Sequence, residues 1–150
     1  LCKPTSEGSI SIQSVDSSVP PKFFGNYLST LYDQKTMISG MKLMRKLSAT
    51  ESLKKIIHTE MSPGKDVKSD AELLEYARLN GETVFHQCGT CRMGDNPANS
   101  VVDGKLKVRG VYGLRIADAS IFPTIPSGNI NAPSIMVGEK AAELILQENK

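Results

Sequence analysis

The sequence predicts a mixed α+β fold from three patterns of apolar spacing. Ile10 and Ile12 alternate with polar neighbours over residues 7–15, the period of two expected of a half-buried strand. Apolar residues then recur at helical spacing through the next sixty residues. After Gly81 the texture changes again, to short apolar runs broken by Gly and Asp, before one last helical pattern beyond Pro133.

The elements follow in order. Residues 7–15 read as a strand, and Pro20-Pro21 through Asn26 as a connector, because two prolines fix φ and remove donors. From Asp33 to Leu47, Met37, Ile38, Met41, Met44 and Leu47 line one helix face, with Lys42, Arg45 and Lys46 towards solvent. A shorter helix is expected over Glu51–Ile57, ahead of Pro63-Gly64. Ser69 followed by Glu72 is a capping-box signal for a third helix through Ala77, with Gly81 as its stop. Short strands are expected at Leu106–Val108 and Leu114–Asp118, with turns at Asp103-Gly104 and Gly110–Gly113. A polar loop runs from Phe122 to Asn131, and Pro133 is placed as the first residue of the final helix. That helix has one polar stripe (Glu139, Lys140, Glu143, Gln147) and is apolar elsewhere, so most of it should pack against something large.

Composition narrows the functional classes. The chain has 150 residues, 39% of them hydrophobic and 23% charged, which is globular rather than disordered. A net charge of +2 is too small to point to nucleic acid or an anionic membrane, and no apolar run is long enough for a membrane span. Cys2, Cys88 and Cys91 are too few, and odd in number, for a disulfide scaffold. The first residue is Leu1, so upstream sequence is expected, and the residues assign no compartment.

Two constellations carry chemistry. Around His86, three readings stand. His86-x-Cys88-x-x-Cys91 resembles half a zinc site, which would need further ligands. Cys88-Gly-Thr-Cys91 is also a Cys-x-x-Cys pair of the kind used in thiol redox work. Alternatively, His86 acts as a general base or alkoxide partner, with Gly89 and Gly94 letting backbone approach a ligand. The second constellation is Ser127–Pro133, leading into the last helix. It reads either as a capped polar loop or as a helix N-terminus whose free N–H groups face an anionic group.

In combination, these residues have a recognisable order: His86-x-x-Gly-Thr-Cys-Arg-Met-Gly94, Val102-Asp103, Gly110-Val-Tyr-Gly-Leu-Arg-Ile-Ala-Asp-Ala-Ser120, Ser127-Gly-Asn-Ile-Asn-Ala-Pro133 and Met136–Ala142. This order closely resembles the C-terminal signature of the glucose–methanol–choline (GMC) oxidoreductases, nearest the choline dehydrogenase and FAD-quinone glucose dehydrogenase branch. Pro4-x-Ser-x-Gly8, Asn26-Tyr-Leu28 and Met44-Arg-Lys46 are similar to the family's earlier segment in the same order.

The resemblance implies FAD as cofactor and oxidation of a small-molecule alcohol, with oxygen or a quinone as electron acceptor. It places the catalytic histidine on His86 and the second active-site position on Asn129. Flavin contacts fall on Asp118, Ala119, Ile130 and Asn131, with no metal. Cys91 would be a packed thiol and Cys88 incidental. Residues 1–85 would belong to the substrate-binding domain. Residues 86–150 would return to the FAD-binding domain and supply its last strand and helix. Family members hold FAD chiefly through an N-terminal Gly-x-Gly-x-x-Gly turn, which this sequence lacks. An upstream FAD-binding domain is therefore part of the expectation.

Overall fold

The structure, a computed structural model, describes residues 1–148. It divides into two compact units, Leu1 with Lys3–Thr83, and Cys2 with Val84–Lys150.

The first unit carries strands β1 (Ser9–Ser11) and β2 (Lys22–Phe24), then helices α1 (Leu31–Ser48), α2 (Glu51–Lys54) and α3 (Asp70–Asn80). The strand expected over 7–15 contracts to three residues, and the expected Pro20–Asn26 connector contains its antiparallel partner, with Ile10 opposite Phe23. Two prolines end at Pro21, so Lys22 onward is free to pair. The expected half-burial fails: all six strand residues are exposed within this unit.

Helix α1 starts two residues earlier than its apolar spacing suggests, because the Thr30 hydroxyl accepts the Asp33 N–H (3.3 Å) and caps it. α1 packs on α3, and Ile38, Leu73 and Ala77 are their buried apolar residues. The capping box at Ser69 and Glu72 is present in both directions, as the sequence predicts. α2 is a single turn rather than the expected seven residues; Thr50 gives it no side-chain cap, and β-branched Ile56 and Ile57 follow.

Arg45 corrects another expectation. Its guanidinium turns inward from α1, meeting Glu60 through Nε (3.0 Å) and Nη2 (2.7 Å), the Val67 carbonyl (2.7 Å) and the Gly64 carbonyl (3.0 Å). Carbonyls from a distant loop outcompete water for a planar five-donor group, which helical spacing cannot foresee.

The second unit is built around helix α4 (Asn131–Glu148) and a cluster of Val102, Leu106, Ile121, Phe122, Val137 and Ala141. The strands expected at Leu106–Val108 and Leu114–Asp118 are isolated bridges instead: Met93 with Val102, Val102 with Val108, and Lys107 with Arg115. Turns arrive too often for longer ladders. The Asp103 carboxylate accepts the N–H groups of Lys105 (2.8 Å) and Lys107 (3.0 Å). Leu106, Gly110 and Gly113 all take positive φ.

α4 begins at Asn131, which puts Pro133 third in the helix rather than first; it still sits in the first turn, where an N–H would have no intrahelical acceptor and its missing donor costs nothing. Val137, Ala141 and Leu144 lay one face on the cluster, while Ile135, Met136 and Leu146 remain exposed in this unit. At its far end Glu148 binds Lys107 (2.9 Å) and Arg115 (2.5 Å). Hydrogen bonds from those two cations hold its carboxyl below the usual range. Among the described residues no helix is long and apolar enough to cross a membrane.

Candidate active site around His86

Phe85, immediately before His86, sits at φ +59 with its ring largely exposed. Left-handed backbone costs a non-glycine residue about 1–2 kcal/mol, and such strain concentrates at functional positions. His86 itself is half-buried.

Three residues on, the segment is fastened to its neighbour. A single 3-10 turn, Ala119–Ile121, offers three successive carbonyls to every second N–H of the incoming segment. Gly89 donates to Ala119 (3.3 Å), Cys91 to Ser120 (2.8 Å) and Met93 to Ile121 (2.8 Å). Gly89 has φ +84, and a Cβ there would lie 3.0 Å from the Phe122 carbonyl oxygen. Only glycine satisfies both the conformation and the approach. The other end of the segment is fixed by Arg109, which donates to the Gly94 carbonyl (2.5 Å) and to the Ser100 hydroxyl (3.0 Å).

Asp118 is exposed at the head of the turn, where its Oδ1 accepts the Ser120 N–H (2.7 Å). Ala119 is half-buried against the apolar cluster. Ile130 packs on the same cluster, and its carbonyl receives both the N–H (2.9 Å) and the hydroxyl (2.7 Å) of Ser134. Asn129 and Asn131 flank it, both exposed, and a Cβ at neighbouring Gly128 would meet nothing within 4 Å. Cys88, two residues from His86, is a third contributor to that cluster. One core therefore carries the three segments holding every candidate site residue. Among the described residues no hydrogen bond joins His86 to Asn129.

Cys88 departs from its expected part. Cys88, expected to be incidental, packs on the core, and burial pushes its thiol pKa up, with the Arg92 charge pulling the other way. A raised thiol is a poor redox nucleophile. Cys88 and Cys91 are free thiols, and among the described residues no group of three His, Cys, Asp or Glu could hold a metal ion. The zinc and thiol readings therefore lose their structural support.

Sequence reasoning missed the 3-10 turn, since three residues leave no periodicity. Asp118 with Ser120 two residues on was the available signal, a side chain able to bond a nearby backbone N–H.

Comparison with known proteins adds the lineage. The family profile described as GMC oxidoreductase matches residues 4–138. An alcohol dehydrogenase [acceptor] of Pseudomonas putida is 45% identical over 145 residues, covering 97% of this chain and 26% of that protein. An oxygen-dependent choline dehydrogenase of Vibrio vulnificus (strain YJ016) is 40% identical over 147 residues, with the same coverage of 97% and 26%. Among solved structures, an FAD-dependent oxidoreductase from Chaetomium thermophilum matches with a TM-score of 0.89 and 28% identity, over 99% of this chain and 26% of that one. The chain thus spans about a quarter of the length of these relatives. With its motifs, its fold and its relatives in agreement, the chain belongs to the GMC oxidoreductase family.

Proposed function

We propose that this chain supplies the catalytic and flavin-facing part of an FAD-dependent enzyme that oxidises the CH–OH group of a small alcohol. The observation that carries the reading is the convergence of Cys88, Ala119 and Ile130 on one core, which gathers the segments of His86, Asp118 and Asn129 in a single unit. The names of the relatives, an alcohol dehydrogenase, a choline dehydrogenase and an FAD-dependent oxidoreductase, support the same reaction class.

An alcohol carbon must lose a hydroxyl proton and a hydride. FAD, when bound, would supply the hydride acceptor, with oxygen or a quinone as the final electron acceptor. The residues present fit such a group. Asn131 and Ala132 bring backbone N–H donors to the positive end of an 18-residue helix, beside an open Gly128 loop, which suits a negatively charged ring edge. Asp118 and Ala119 form the second flavin-facing segment.

On this reading His86 accepts the substrate proton or hydrogen-bonds the developing alkoxide. Asn129, whose amide cannot act as a base, orients the substrate oxygen. Residues 1–85 serve the substrate side and 86–150 the flavin side. The reading requires a nucleotide-binding domain that these 150 residues do not contain.

The test is His86→Ala in the full-length protein. We expect kcat to fall ~10²-fold or more while flavin absorbance is retained. Near-normal turnover of alcohols in that variant would remove the mechanism.

A further inference from the structure

We propose that Asp118 is a positioning residue for His86, acting through the 3-10 turn that it caps. The proposal rests on the alcohol-oxidation reading above and adds a role for Asp118 distinct from contact with flavin.

Three observations lead to it. First, one oxygen of the Asp118 carboxylate is already committed inside the protein, accepting the Ser120 N–H at 2.7 Å, the shortest bond at the turn. Second, that turn is the template for the His86 segment. Its carbonyls at Ala119, Ser120 and Ile121 receive Gly89, Cys91 and Met93 in strict alternation. A turn of three residues has little hydrogen bonding of its own, here Ile121 N–H to Asp118 (3.2 Å) and Phe122 N–H to Ala119 (3.3 Å), so the side-chain bond is a large share of what fixes it. Third, the segment has no slack to absorb a shift. Gly89 lies against the Phe122 carbonyl, and Phe85 on the other side of His86 is already held at positive φ.

If Asp118 releases the Ser120 N–H, the three carbonyls lose their fixed direction and the ladder loosens from the Gly89 end. His86 then samples positions away from the reacting oxygen. A misplacement of about 1 Å at such a group can cost up to ~10²-fold in rate. The cost should appear in kcat rather than KM, because Asp118 need not touch substrate.

The distinction from a flavin contact lies in what the side chain must be. Capping needs only an acceptor oxygen, which asparagine also offers; charge is not required. In the full-length protein, Asp118→Ala should lower kcat by roughly 10- to 100-fold with little change in KM and with flavin content retained. Asp118→Asn should recover most of that loss. Amide exchange at Gly89, Cys91 and Met93 should be faster in Asp118→Ala and return towards the unsubstituted rate in Asp118→Asn. Equal impairment of kcat by both substitutions, or loss of flavin from both, would assign Asp118 to charge or cofactor contact and overturn the positioning role. Unchanged amide exchange in Asp118→Ala overturns it whatever the activity, which separates this failure from failure of the alcohol-oxidation reading.

Discussion

Asp33 is a carboxylate with no exposed surface inside α1, and it closes the N-terminal segment onto that helix. It accepts the Thr5 N–H (2.8 Å), the Ser6 N–H (2.8 Å) and the Thr5 hydroxyl (3.1 Å). Burial alone would raise its pKa, but the bonds from Ser6 and Thr5 outweigh burial and hold it below the ordinary value. The sign for stability follows. A depressed folded-state pKa stabilises above the unfolded carboxylate value of about 4, and the contribution is lost as pH falls through the lower folded value. Asp33→Ala removes the acceptor of these part-buried donors and should cost about 1–3 kcal/mol, with much faster amide exchange at Thr5 and Ser6. Unaltered exchange there would mean that the segment is held by other contacts. Nothing in the sequence distinguishes Asp33 from a solvated helix acid except Thr30 three residues earlier, a cap spacing that marks the true start of α1. Cys88 and Arg45 were illegible for a related reason. Each is defined by groups remote in sequence, the core cluster and the Glu60–Val67 loop.

Elements were legible where a local signal set them. The Ser69 capping box is such a case, its hydroxyl accepting the Glu72 N–H (3.2 Å) while a Glu72 oxygen accepts the Ser69 N–H (2.8 Å). Ser69→Ala should destabilise α3 by about 1 kcal/mol, read as lower amide protection in its first turn. Protection equal to the unsubstituted chain would show that packing of Leu73 and Ala77 alone sets the helix start. The short strands were over-read. Alternating apolar residues around Val102, Val108 and Arg115 do pair, but only as single bridges between turns. β2 was under-read because Pro20 and Pro21 signal a break without saying that the chain pairs on leaving it. The 3-10 turn at Ala119–Ile121 receives the N–H groups of Gly89, Cys91 and Met93, and its length hid it.

Across the molecule, the order of motifs was more informative than any one of them. The Cys-x-x-Cys pair, His86 and the polar loop before α4 each had a structural reading. Their sequence order pointed to one family, and the fold gathers them on one core. What order could not convey is the means: a carbonyl ladder, a glycine pressed against Phe122 and a strained Phe85. On the reading proposed above, His86 and Asn129 act on the same substrate oxygen. A double-mutant cycle on kcat/KM tests that shared role, with His86→Ala, Asn129→Ala and the pair compared in the full-length protein. Shared action requires the two losses to be coupled by about 1 kcal/mol or more, so that the double variant is less impaired than the sum. Losses that add to within about 0.5 kcal/mol would place the two side chains on separate tasks and overturn that shared role.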